Sequence, residues 1–178
     1  MKKLILISSF FLFALGLNAQ SFGARVGANV ANLTGDVEEN ATILSWQFGG
    51  YLEFNVFGST DLNIGVLYSK KGASQENGPE ELKLSYIDIP IMLRFGILPS
   101  VFAQGGVYGS FMTSAFNGDN DVSDIYNSGD FGVQFGAGVK LSNITIDARY
   151  SIGMSDIEGT EFADIKNSVL TIGLEYGF

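Results

Sequence analysis

The chain of 178 residues contains no cysteine and no histidine. These two absences remove disulfides, thiolate chemistry, histidine-ligated metals and the imidazole base of the usual nucleophilic triads, so no catalytic set is expected. Positive charge is also scarce: 10 Lys and Arg stand against 19 Asp and Glu, a net charge of −9. Phosphate recognition needs a basic patch, and the cations here are scattered, which excludes a nucleic-acid partner. The chain also lacks a long hydrophobic run and any helical period of useful length. Its mean hydropathy of +0.23 is too low for a helical membrane bundle.

One short apolar run, Leu4 to Leu17, follows Lys2 and Lys3 and ends at Leu17-Asn18-Ala19. It is shorter than the ~20 residues a spanning helix needs and carries the charge, apolar and small-residue order of an export signal. Residues 1–19 are therefore expected to be a cleaved signal peptide and residues 20–178 a single domain. No Cys lies near the cleavage point to carry a lipid anchor.

What the remainder has in abundance is two-residue alternation and glycine, 23 residues of it. The alternation predicts eight strands, over 21–33, 43–57, 60–71, 82–97, 101–112, 130–141, 144–154 and 167–178. Most reach the ~9–11 residues that cross a bilayer at a tilt. Between them, tight turns at Gly58-Ser59, Leu98-Pro99-Ser100 and Ser142-Asn143 alternate with long segments at 34–42, 72–81, 113–129 and 155–166. All the long segments therefore fall at one end of an up-and-down arrangement. They and their rims hold 14 of the 19 acids, Asp130 among them.

The stretch ITIDARYSIGM, Ile144 to Met154, poses the question of which face is inside, and the other strands decide it. Ile144, Ile146, Ala148, Tyr150, Ile152 and Met154 alternate with Thr145, Asp147, Arg149, Ser151 and Gly153. Across all strands one face is rich in Phe, Ile, Leu and Val and the other in Gly with a few long polar residues. A soluble barrel would have to bury more bulk than an eight-stranded lumen holds while exposing a glycine-rich exterior. A transmembrane barrel turns the bulky face to lipid, and Arg149 at the bilayer midplane would cost ~2–4 kcal/mol unless it points inward. The expected fold is an all-β, eight-stranded antiparallel up-and-down transmembrane β-barrel.

The inward face then carries Arg25, Arg94, Lys140 and Arg149 opposite Glu53, Asp88, Asp147 and Glu175. Four cations and four anions can pair with no net charge, as a structural network filling the lumen. If the 34–42 connection folds symmetrically, Arg25 and Glu53 are neighbours. Pro90 and the shift of apolar phase between Leu84 and Ile87 predict a bulge near Tyr86. Asp119 to Asp130 resembles a calcium loop at positions one, three and twelve, but Asp124 occupies the glycine position. No metal or cofactor is expected.

GARVGANVANL near the start, LYSKKG at 67–72, YIDIPIMLRF at 86–95, DFGVQFGAGVKL at 130–141, DARYSIGMSDI at 147–157 and the closing NSVLTIGLEYGF together resemble the small outer-membrane β-barrels that include PorT-like proteins of Bacteroidota. In architecture they are more distantly similar to OmpX- and OmpA-type barrels. The resemblance implies a non-enzymatic protein of the Gram-negative outer membrane, surrounded by lipid. It further implies that the final strand, ending at Phe178, is recognised by the barrel-assembly machinery. The acidic loops suit adhesion, a protein partner or cations. The alternatives are a periplasmic lipocalin-like carrier of an apolar ligand and a subunit of a PorT-like secretion assembly.

Overall fold

Alternating apolar and small or polar side chains suit a pleated strand whose two faces meet different surroundings. In the computed structural model, which describes residues 21–35, 40–75, 81–118, 120–123, 127–156 and 165–178, that alternation builds eight long strands. They are β1 (Ser21–Gly35), β2 (Ile43–Phe57), β3 (Thr60–Gln75), β4 (Glu81–Leu98), β5 (Val101–Asn117), β6 (Gly129–Leu141), β7 (Ile144–Gly153) and β8 (Ile165–Gly177). Two-residue segments, Asn40–Ala41 and Asn120–Asp121, add to β3 and β5. Every strand pairs antiparallel with its sequence neighbours, and β1 also pairs with β8 from Gly23↔Gly177 to Gly35↔Ile165. The sheet thus closes into an eight-stranded antiparallel barrel with no free edge. The expected signal peptide over 1–19 lies outside the described residues.

The tight turns fall where the sequence placed them. Gly58 (φ 55°) and Ser142 (φ 56°) take up the left-handed conformation that short hairpin connections require.

The apolar face is the outer one. Phe22, Trp46, Val66, Ile91, Phe135, Ile146, Ile172 and Leu174 are all exposed, while Arg25, Glu53, Asp147, Arg149 and Glu175 are buried. Pro90 also points into the lumen, fully buried. The β3–β4 pairing passes from Ile64↔Ile91 to Leu67↔Asp88, and a Cβ on the intervening Gly65 would lie 3.1 Å from the proline ring. Glycine makes room there for a ring that cannot donate to the ladder.

β3 and β5 run four and five residues further than the sequence suggested, into segments read as loops. At that end the interior becomes apolar: Leu33, Ala73, Leu84, Tyr86 and Ala115 form a buried cluster. In β4 the inward positions Leu84, Tyr86, Asp88, Pro90, Met92 and Arg94 keep one parity throughout. The shift of apolar phase after Leu84 therefore marks a change of surroundings and not a break in this strand. The bulge sits across the ladder: Ser85 pairs with Ser114 and Tyr86 with Met112. Thr113 is the extra residue, and its hydroxyl donates to the Ser85 carbonyl.

Candidate functional site in the barrel lumen

Inward positions come from alternate residues of every strand, so side chains distant in sequence converge on the axis. Nearest the tight-turn end, Arg25 donates to Asp147 through both terminal nitrogens, at 2.9 and 2.8 Å, and to Glu175 at 2.7 Å. Arg149 reaches the same two carboxylates at 2.9 and 2.7 Å. Arg94 bridges Glu175, at 2.7 and 2.9 Å, to Glu53, at 2.6 Å, with its guanidinium over the Phe102 ring. Gln104 donates to Asp147 at 3.0 Å and accepts from Arg94 at 3.3 Å. Lys140 closes the network at the mouth, bonded to Glu53 at 2.6 Å with its side chain 47% exposed. The mouth itself is an open recess of about 430 Å³ beside Lys140, Arg94 and Phe102.

Glycine makes this packing possible. A Cβ on Gly173 would fall onto the Arg25 guanidinium and lie 2.6 Å from Asp147 Oδ1, and one on Gly138 would lie 2.5 Å from the Phe102 ring. The glycine-rich inner face is the space into which arginine and aromatic side chains from other strands fit.

Asp88 does not join this network. It belongs to a second cluster nearer the long connections, centred on Lys71. The Lys71 ammonium lies 3.0 Å from Asp88, 3.1 Å from the Ser110 hydroxyl and 3.7 Å from Asp130. It also sits over the Tyr86 and Tyr108 rings, at 4.8 and 4.7 Å. Asp130 accepts from Tyr108, Asn167 and Ser155 at 3.1, 3.0 and 2.8 Å. Between the clusters, Thr171 donates to Asn29 and Asn29 to Ser69.

Three expectations need correction. Arg25 and Glu53 are not paired: the β1–β2 register joins Ser21 to Glu53 and Arg25 to Gly49, which sets Glu53 four residues along β2 from the position opposite Arg25. Asp130 is no rim acid but a buried lumen residue, so the twelfth position of the calcium-like segment is already committed. Lys71, absent from the expected set, is the central cation of its cluster. Parity could have found both: Lys71 shares the inward phase of Asn63, Leu67 and Ser69, and Asp130 that of Gly132 through Lys140. With these two included, the lumen holds five cations and five anions among the described residues, again in balance.

Chemically, the carboxylates are taken up by cations and hydrogen bonds. What the arrangement provides is a filled interior, where paired and hydrogen-bonded charges tolerate burial that unpaired ones would not.

Comparison with known proteins agrees with this geometry. Residues 18–159 match the family described as the outer membrane protein beta-barrel domain. No curated protein matches the sequence. Neisserial surface protein A shares the fold at 17% identity and a TM-score of 0.64, covering 88% of this chain and 97% of its own. Ail, the attachment invasion locus protein of Yersinia pestis, does so at 16% identity and a TM-score of 0.53, covering 89% and 98%. With the bulky face outside, the charged face inside and the match extending over most of the sequence, the chain belongs to the outer membrane protein beta-barrel domain family.

Proposed function

We propose that this protein is a non-enzymatic, non-conducting barrel of the outer membrane, which holds acidic loops at one end of a rigid, side-chain-filled scaffold for adhesion or partner binding. The observation that carries the closed-lumen reading is the arginine network: Arg25, Arg94 and Arg149 converge on Asp147 and Glu175, all nearly fully buried, across the width of the barrel. An eight-stranded barrel is just wide enough for its own side chains to fill it. In planar bilayers the purified protein gives no stable step conductance, and reproducible openings would overturn the closed lumen.

The partner follows from charge. Ail of Yersinia pestis is known in complex with the heparin analogue sucrose octasulfate. Here the long connections carry Asp36, Glu38, Glu39, Glu76, Glu80, Glu158 and Glu161, which repel such a polyanion and favour a basic protein surface or cations. Crosslinking in intact outer membranes yields a basic partner whose capture weakens as salt rises. A partner that is acidic, or held without regard to salt, refutes this assignment.

A further inference from the structure

Outside the lumen, the described barrel carries only three cations, Lys70, Lys83 and Lys166, all on the strand halves nearest the long connections. Lys70 is the informative one. Among the described residues no carboxylate pairs with it; its ammonium instead lies 5.1 Å from the centroid of the Trp46 ring. Trp46 stacks on Phe48 at 5.5 Å and tilts against Tyr68 at 5.7 Å, so an outward-facing aromatic cluster supports a single positive charge. The charge sits at a boundary. Below it on β3 the outward residues are Tyr68, Val66 and Ile64; beside it the interior switches from the Lys71 cluster to the apolar group around Ala73.

On the other side of the Trp46 indole runs a groove of about 500 Å³ on the barrel exterior, with Val26, Ala28, Phe48, Ile172 and Leu174 along it. Ala28 pairs with Trp46 on one side and Ile172 on the other, so a methyl group forms the floor between two large walls. A cation at the polar rim and an apolar channel leading away from it fit the two parts of an amphiphile. A second copy of the barrel fits poorly, because each copy carries a net charge of −9 and two acid-rich ends brought side by side repel.

We propose that Lys70, Trp46 and the adjoining groove bind one anionic lipid with an exposed phosphate, its headgroup on Lys70 and an acyl chain over Ala28. The site rests on the membrane-embedded reading, which the boiling-dependent gel shift of a closed barrel tests separately on the same vesicles.

Trp46 is the only tryptophan, so its fluorescence reports on this site alone. The intact protein is reconstituted in phosphatidylcholine vesicles containing either brominated phosphatidic acid or brominated phosphatidylcholine at equal mole fraction. Phosphatidic acid is expected to be enriched at Trp46 by about fivefold, the preference one lysine supplies at an anionic surface. Lys70→Gln brings the two quenchers level, and Lys70→Arg keeps the preference. Inorganic phosphate in the buffer leaves the quenching unchanged. Equal quenching by both lipids in the unmodified protein, a preference that survives Lys70→Gln, or competition by inorganic phosphate overturns the proposal. So does weak quenching by both lipids together with self-crosslinking, which would give the groove to a second copy. Absence of the gel shift would instead remove the membrane reading beneath it.

Discussion

Exchanging Arg25 for glutamine removes three charge-assisted hydrogen bonds at once, two to Asp147 and one to Glu175. Both partners are fully buried, with side chains 0% exposed, so neither carboxylate can turn to water. Asp147 keeps Arg149 and Gln104, and Glu175 keeps Arg94 and Arg149. Breaking a buried pair from one side costs ~3–5 kcal/mol, and the retained partners place Arg25→Gln at the lower end of that range. Asp147→Asn costs a similar amount, because Arg25 and Arg149 then share one fewer anion. The double variant restores the balance of charge and leaves two amides of suitable length, so its cost falls short of the sum by ~2–3 kcal/mol. The matching cycle on Arg25 and Glu53 gives a smaller coupling, since they meet only through Glu175 and Arg94. Urea unfolding from lipid vesicles, followed by Trp46 fluorescence as the indole leaves the bilayer, measures all the variants on one scale. Additive effects for Arg25 and Asp147, or a larger coupling for Arg25 and Glu53, would refute the pairing described here.

The glycine at 173 is predicted to be sterically necessary. Gly173→Ala forces the Arg25 guanidinium aside and lowers stability by ~1–3 kcal/mol, whereas Gly109→Ala, where a Cβ meets nothing within 4 Å, leaves the unfolding midpoint unchanged. Equal effects would mean that backbone propensity and not packing governs both positions. In the second cluster, Lys71→Met leaves Asp88 with the Ser110 hydroxyl as its remaining partner among the described residues, while Asp130 retains Tyr108, Asn167 and Ser155. Unfolding measurements should show a loss of ~3–5 kcal/mol, more of it recovered by adding Asp88→Asn than by adding Asp130→Asn. The reverse order would show that Lys71 serves chiefly Asp130.

Much of this protein is legible without coordinates. The period of two determines which residues share a face, and the contrast between bulky and glycine-rich faces determines which is outside, because eight strands enclose too little space for the bulky one. Asp147 and Arg149 could be placed inward once the two faces of all the strands were compared. Parity, however, assigns a side chain to a face and not to a partner. Arg25 meets Asp147 and Glu175, 122 and 150 residues away, because the barrel closes β8 onto β1 and the register of each hairpin sets the height of every side chain on the axis. A shift of the β1–β2 register would place Arg25 opposite a residue of β2 other than Gly49, and alternation alone does not fix that register. Lys71 and Asp130 show both sides of this, since parity turns them inward but names no partner for either. Only the tertiary structure shows whom they meet: the Lys71 ammonium, buried between two tyrosine rings, donates to the Ser110 hydroxyl beside Asp88, while Asp130 accepts from Tyr108 and Asn167.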